Sequence, residues 1–316
     1  MKKILLKIFV LLLVLLIMDR LFTYFFTKEI FYKTMAGESG GSVNYLIQKK
    51  QHVSFLILGS SRAKHHIDPA LLSNVYNGDG YNAGINGTGG LIYNSLLLKL
   101  LIEKKRIPKL VILQVDAYPY FTMKDDNVNA EISPLYPFID ESPALSNYFK
   151  EQTGYAEKIK MWLHAYRFNG KLLNIVYNYA RRNSVTNNNG FEGLAGQIDT
   201  TGSFVPVDTG KTFHFSEIKM KALQDIAQTC KLNGIRLLLL LPPSYKNIIL
   251  LKPGNDAILS LLHSNDVYDI FNFSDVGTIP ALESNLYWRD QTHLNKEGAA
   301  IFSVVFNDSL KSLHLN

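Results

Sequence analysis

The sequence predicts an α/β fold: a doubly wound, mainly parallel five-stranded sheet with flanking helices, preceded by an N-terminal transmembrane helix. Three observations carry this. Short apolar runs bounded by Gly or Pro alternate with segments of helical periodicity, which is the pattern of parallel β-α-β units. The chain opens on an apolar stretch of membrane-spanning length. Its 316 residues, nearly half of them apolar, suffice for one large core plus an anchor.

Met1-Lys2-Lys3 precedes Ile4 to Phe26, a run broken only by Lys7, by Asp19-Arg20 and by Thr23-Tyr24. Roughly 20 helical residues cross a bilayer, and a lysine near one end can snorkel. Ile8 to Met18 also has the length of a signal-peptide core, but no small-x-small cleavage site follows closely. Tyr24, Phe25, Phe26, Phe31 and Tyr32 resemble an interfacial aromatic belt, so residues 1–33 are expected to stay as an uncleaved anchor. Lys2, Lys3 and Lys7 favour a cytoplasmic N-terminus and hence a single-pass cell-membrane protein with an extracytoplasmic domain. The Gly/Ser-rich stretch Gly37 to Ser42 marks residues 34–52 as a linker.

Val53 to Leu58 reads as the first strand, ending at Gly59. A weak strand around Tyr81-Asn82 leads into the glycine-rich run Gly84 to Gly90 and an amphipathic helix, about Leu91 to Lys105. Leu110 to Val115 is a third strand. A helix from Ser216 to Leu232 precedes a fourth strand, Ile235 to Leu241, which Pro242-Pro243 stops before a further helix. Val267 to Phe271 is a fifth, and Asn295 caps a final helix running to Leu310 with Glu297 in its first turn. Residues 119–213 break the rhythm. They are rich in Tyr, Pro and Asn, with a helix expected near Tyr155 to Asn183 and a loose tract Asn187 to Gly190. This insertion lies between 53–118 and 214–316, on the carboxyl side of the sheet where ligands bind, as a possible substrate cap.

The net charge of +6 belongs to the N-terminus: residues 1–50 hold eight Lys/Arg against three Asp/Glu, leaving 25 against 24 for the rest. A near-neutral globular part gives phosphate backbones no footing, so nucleic acid is excluded as a partner; basic residues beside an apolar run suit the lipid bilayer. The single cysteine, Cys230, forbids an intrachain disulfide and any thiolate metal cluster, and its helical apolar surroundings make it a small buried residue.

Three places supply the parts of a serine nucleophile. Ser61 stands in Gly59-Ser60-Ser61-Arg62 just past the first strand, where a serine is otherwise a helix cap. Asp290-Gln291-Thr292-His293 sets a carboxylate and an imidazole three apart before the last helix, so that Asp290 can orient one ring nitrogen of His293 while the other faces the serine. The alternative is an Asp-capped turn beside a structural histidine.

In order and context these blocks resemble the SGNH (GDSL-type) hydrolases. Gly59-Ser60-Ser61 stands where that family has Gly-Asp-Ser, which puts the nucleophile on Ser61, and Asn82-Ala83-Gly84-Ile85-Asn86-Gly87 looks like its second block. The resemblance implies a triad of Ser61, His293 and Asp290 and an oxyanion hole from the amides of Ser61 and Gly87; the residue spacings point to no metal or cofactor. It covers about 53–118 and 216–310. The third block, Gly-x-Asn-Asp, is missing: Leu113-Gln114-Val115-Asp116-Ala117 stands in its place, with no asparagine to give a side-chain oxyanion donor. A Gly-Ser-Ser block, an absent third block and an N-terminal anchor are closer to the membrane-anchored branch that includes the D-alanine transfer protein of teichoic acid synthesis and polysaccharide O-acetylation proteins. That likeness implies a serine esterase or O-acyltransferase acting on an acylated cell-envelope glycan or small ester, with a membrane-bound acyl donor protein as a partner. A catalytically silent glycan-binding or assembly-scaffold protein on the same fold is the alternative.

Lesser candidates surround this set. Arg62 either clamps an anionic substrate or pairs with a carboxylate. Asn86 and Asp116 fall on the substrate side, Asp116 alternatively as a strand-end cap, and Trp288 either lines the pocket or packs beneath the turn. His65-His66 with Asp68 lacks the spacing of a metal site, since adjacent histidines point apart. Gly84 to Gly90 lacks the lysine and strong preceding strand of a phosphate loop.

Overall fold

A computed structural model describes residues 2–48, 53–87, 90–115, 128–181, 188–199, 216–245, 259–260, 269–274 and 277–315. In chain order the elements are α1 (Lys2–Glu29), α2 (Gly41–Gln48), β1 (Phe55–Leu58), α3 (Ser61–His66), β2 (Gly80–Asn82), α4 (Leu91–Glu103), β3 (Leu110–Gln114), α5 (Val128–Ile132), α6 (Pro143–Gln152), α7 (Tyr155–Trp162), α8 (Leu172–Ala180), α9 (Glu217–Leu232), β4 (Arg236–Leu241), β5 (Asp269–Asn272) and α10 (Lys296–Leu310). They fall into two compact units, one of residues 1–49 with 132–186, the other of residues 50–131 with 187–316.

The second unit holds a five-stranded sheet in the order β2-β1-β3-β4-β5, every neighbouring pair parallel. Continuous apolar runs form β1, β3 and most of β4 because these strands are buried on both faces. Register sets Ile57 between Asn82 and Ile112, and Leu113 beside Leu239. Helices α4 and α9 pack together, as do α3 and α10; right-handed crossovers put these two pairs on opposite faces. On the α3/α10 side Phe55, Ile57, Leu238 and Leu240 meet Trp288, Phe302 and Phe306. The reversal of strand order lies between β1 and β3, which opens a crevice at their carboxyl ends. The expected strands and the last helix recur with ends moved by a residue or two. Asn295 caps α10, its Oδ1 accepting from the Gly298 amide at 3.0 Å. Residues 267–268 and the helix expected after Pro243 lie outside the described residues, apart from two helical residues at 259–260.

Residues 188–198, expected as part of the insertion, belong to this sheet unit. The Asn189 carbonyl accepts from the Asn82 amide at 2.7 Å, on the open edge of β2. Farther on, Leu194 and Trp288 carbonyls accept from the Lys296 and Ile198 amides. Gly190 makes the approach possible: its φ is +81°, and a Cβ there would lie 1.9 Å from the Asn82 oxygen.

The first unit is helical. Phe26, Phe31, Phe138 and Phe168 form its aromatic centre, with ring centroids 5.0–5.4 Å apart. The expected linker 34–52 carries α2 instead, because Val43 and Leu46 are buried and Asn44 Nδ2 donates to the Phe31 and Thr34 carbonyls at 2.7 and 3.1 Å. The single helix expected from Tyr155 is two. It stops at Leu163, turns through His164–Phe168 and restarts after Gly170, whose φ is +72°. Asp19 of α1 holds that turn, accepting from the His164 and Ala165 amides, each at 2.9 Å.

Among the described residues no helix is long and apolar enough to cross a membrane. In α1, Lys7 and the Asp19-Arg20 pair leave Ile8–Met18 as the longest uncharged run, about 16 Å of helix against roughly 30 Å of hydrocarbon. Its apolar side chains from Ile4 to Met18 are nonetheless exposed on nearly every face.

We expect Gly190→Ala to destabilise the sheet unit by about 1–3 kcal/mol, since both the positive φ and the carbonyl contact oppose a side chain. Unchanged thermal unfolding of the full chain would show that the 188–198 segment adapts freely.

Candidate active site

The sheet unit brings Ser61, His293 and Asp290 together across 232 positions of sequence. Ser61 Oγ lies 2.8 Å from His293 Nε2, and His293 Nδ1 lies 3.0 Å from both Asp290 carboxylate oxygens. With Nδ1–H donated to Asp290, Nε2 is left to accept from the serine hydroxyl. His293 is about one-quarter exposed and Asp290 about half, so a substrate has access.

Local sequence builds each arm. At the first, β1 ends on Gly59, whose φ of +148° and contact with Gln114 and Ala63 leave no room for a Cβ. Ser60 then caps α3: its Oγ accepts from the Arg62 amide at 3.2 Å, and both its amide and its hydroxyl donate to Gln114 Oε1 at 2.9 Å. Ser60 is thereby committed to structure and Ser61 alone faces the histidine. At the second arm, Asp290 Oδ1 accepts from the amides of Thr292 and His293 at 2.8 and 2.9 Å and from the Thr292 hydroxyl at 2.9 Å. Burial works against charge on Asp290, but the His293 ring and these amides outweigh it and hold the carboxyl well below its ordinary range. The turn is pinned by Trp288–Leu294 pairing and by the Arg289 amide on the His293 carbonyl at 2.8 Å.

His66 joins the arms. At the end of α3, its Nε2 accepts from the Leu294 amide at 3.1 Å, tying the helix that starts with Ser61 to the residue after His293. Complete burial, helped by Arg62 and the two neighbouring histidines, drives its pKa well below the ordinary histidine value. It is a neutral ring with Nδ1 protonated. His65 points the other way, its Nδ1 2.6 Å from the Glu192 carbonyl and its Nε2 2.8 Å from Asn86 Oδ1. Lys64 pairs with Glu192 at 2.9 Å; although burial opposes it, this contact keeps the Glu192 carboxyl below its usual range.

The remaining candidates divide. The amides of Ser61 and Gly87 meet no acceptor among the described residues, as oxyanion donors require, and Gly87 is exposed with φ +96°. Asn86 is exposed beside them and steadied by His65. Asp116 lies outside the described residues. Burial corrects one reading and decides another. Arg62 is 5 % exposed, its guanidinium spent on the Pro242 and Pro243 carbonyls and the Ser244 hydroxyl at 2.6–3.1 Å, so it anchors the β4 exit rather than an anionic substrate. Trp288 is fully buried, its Nε1 donating to the Leu282 carbonyl at 2.8 Å, and packs beneath the turn rather than lining a pocket. Among the described residues no three or more His, Cys, Asp or Glu side chains cluster as metal ligands. Cys230 is buried, and burial pushes its thiol up to about 12.

Sequence reasoning missed the structural parts played by Gln114, His66 and Glu192. Gln114 did leave a signal, as the one polar residue of an apolar strand. No protein-family model matches this chain, and no curated protein matches it.

The neutral His66 ties stability to pH. The unfolded chain takes up a proton on this residue below about pH 6.5 while the folded chain resists it, so the stability it confers is present above that value and falls with pH, approaching 1.4 kcal/mol per pH unit. We expect His66→Gln, which keeps an acceptor for Leu294, to lose less stability between pH 7 and 5 than wild type in thermal unfolding. An equal loss would assign the slope to other groups.

Proposed function

We propose that the chain is a membrane-associated serine esterase or O-acyltransferase of the SGNH (GDSL-type) class, acting on an acylated cell-envelope glycan through a Ser61 acyl-enzyme. The observation that carries the enzymatic reading is the continuous chain from Ser61 Oγ through His293 to Asp290, with contacts of 2.8 and 3.0 Å. A flavodoxin-like strand order with the serine at the carboxyl end of β1, beside the switch point, supports the fold assignment. The glycan and the acyl donor protein rest on the sequence resemblance and on the membrane reading of α1.

In this mechanism Ser61 Oγ attacks the acyl carbon while its proton passes to His293 Nε2, and Asp290 stabilises the resulting imidazolium. The amides of Ser61 and Gly87 receive the oxyanion. The tetrahedral intermediate collapses as the acyl–oxygen bond breaks, and Nε2–H protonates the leaving alkoxide. A water molecule or sugar hydroxyl then gives its proton to Nε2 and attacks the Ser61 ester; the acyl–Oγ bond breaks, the acyl group leaves as acid or new ester, and Nε2–H returns the proton to Ser61 Oγ. Intact triad contacts weigh against a silent scaffold.

We place α1 in the bilayer because a helix apolar on every face is not stable in water. Crossing requires Lys7 to snorkel and Asp19-Arg20 to remain at the far interface, where Asp19 is already engaged by the His164 and Ala165 amides. Lys2, Lys3 and Lys7 then favour an extracytoplasmic site.

Ser61→Ala should abolish labelling by a fluorophosphonate probe and His293→Ala nearly so, whereas Asp290→Asn should leave a rate reduced by about 10³–10⁴-fold. Equal labelling of wild type and Ser61→Ala overturns the catalytic reading. Protease added to cells with permeabilised outer layers should digest the domain; protection under conditions that degrade a known exported protein would reverse the orientation.

A further inference from the structure

Beyond α1, the helical unit leaves large apolar side chains in water. On α7 they are Tyr155, Ile159 and Trp162, spaced i, i+4, i+7 on one face, with Tyr155 81 % and Trp162 65 % exposed, while Met161 is buried. On α8 they are Leu173, Val176 and Tyr177, spaced i, i+3, i+4, with Leu173 87 % exposed and Ile175 buried on the other side. Each helix thus has an inner apolar residue that joins the core and an outer apolar stripe that is exposed to solvent.

Both stripes belong to helices that pack on α1 or on the turn that follows it. Arg20 Nη2 donates to the Trp162 carbonyl at 2.9 Å, and Asp19 accepts from the His164 and Ala165 amides just beyond it, so the end of α7 is registered against the charged pair that bounds Ile8–Met18. Helix α8 packs on the turn Phe31–Lys33 that follows α1. The composition is interfacial: Trp162, Tyr155 and Tyr177 have an apolar body and a polar tip, with Lys158, Lys160 and Arg181 beside them. Arg181 lies over the Tyr177 ring at 5.1 Å.

We propose that α7 and α8 lie in the headgroup region of the bilayer as a second contact, their outer stripes turned to lipid, while α1 enters the apolar phase. This rests on the membrane reading of α1. It gives the unit three contacts in place of one, which fixes its tilt on the surface, whereas a lone helix leaves a domain free to pivot.

The chain's two tryptophans make the test direct, because Trp288 is wholly buried in the sheet unit and Trp162 is exposed. The full chain is reconstituted into phosphatidylcholine–phosphatidylglycerol vesicles with acyl chains brominated near the headgroup, and its emission is compared with that of Trp162→Phe. We expect the Trp162 contribution to fall about twofold with bromolipid and to be shielded from aqueous iodide, and Ile159→Asn with Leu173→Asn to weaken the quenching while the chain still floats with vesicles. Flotation with a Trp162 that bromolipid does not quench overturns the inference, whether iodide reaches it or a protein surface covers it. Failure to float at all refutes the membrane reading of α1 itself, and the inference with it.

Discussion

The hydrogen bond from the Leu294 amide to His66 Nε2 is the constraint on which the candidate site depends. Ser61 begins α3 and His66 ends it; His293 precedes Leu294 on the hairpin that feeds α10. One buried bond between the far end of the serine's helix and the backbone beside the histidine therefore helps set the 2.8 Å separation of Ser61 Oγ and His293 Nε2. The bond requires His66 to be neutral, and burial in the sheet unit ensures that. The histidine that performs no chemistry in this scheme fixes the position of the one that does.

Around that bond the polar groups are arranged in layers. Gln114 holds Ser60, Arg62 holds the exit of β4, and Asn82 spans the first turn, donating to the Ala63 and Ile67 carbonyls at 2.8 and 2.7 Å while accepting from the Gly84 amide. Each is buried and each joins the carboxyl end of one strand to the segment after another. Loops held this way have little freedom left to lose, so the geometry of Ser61 is fixed in advance by its buried polar neighbours.

The sheet was legible in the sequence because burial on both faces writes itself as unbroken apolar runs, and β1, β3 and β4 read as such. So were Ser61, Asp290 and His293, whose residue types and places relative to strand and helix are local facts. Arg62 was misplaced and Trp288 left open between two readings because a single sequence shows a charge or a ring but not which way it points; both turn inward, to carbonyls that no motif announces. The linker failed for a related reason: Gly37 to Ser42 does bend the chain, but just beyond it Val43 and Leu46 are buried and Asn44 bonds to carbonyls ten and thirteen residues back. The 132–186 segment grouped with the N-terminus for the same long-range cause, an aromatic centre assembled from Phe26, Phe31, Phe138 and Phe168.

The distance in sequence between Ser61 and its partners has a consequence for synthesis. A ribosome delivers β1, β2 and β3 early, then the long helical insertion, and only near the end the hairpin with Asp290 and His293. Until α10 emerges, His66 has no Leu294 amide to receive and Ser61 has no base. The contact of Ser61 with His293 therefore forms in a single late step, when the last segment closes onto α3.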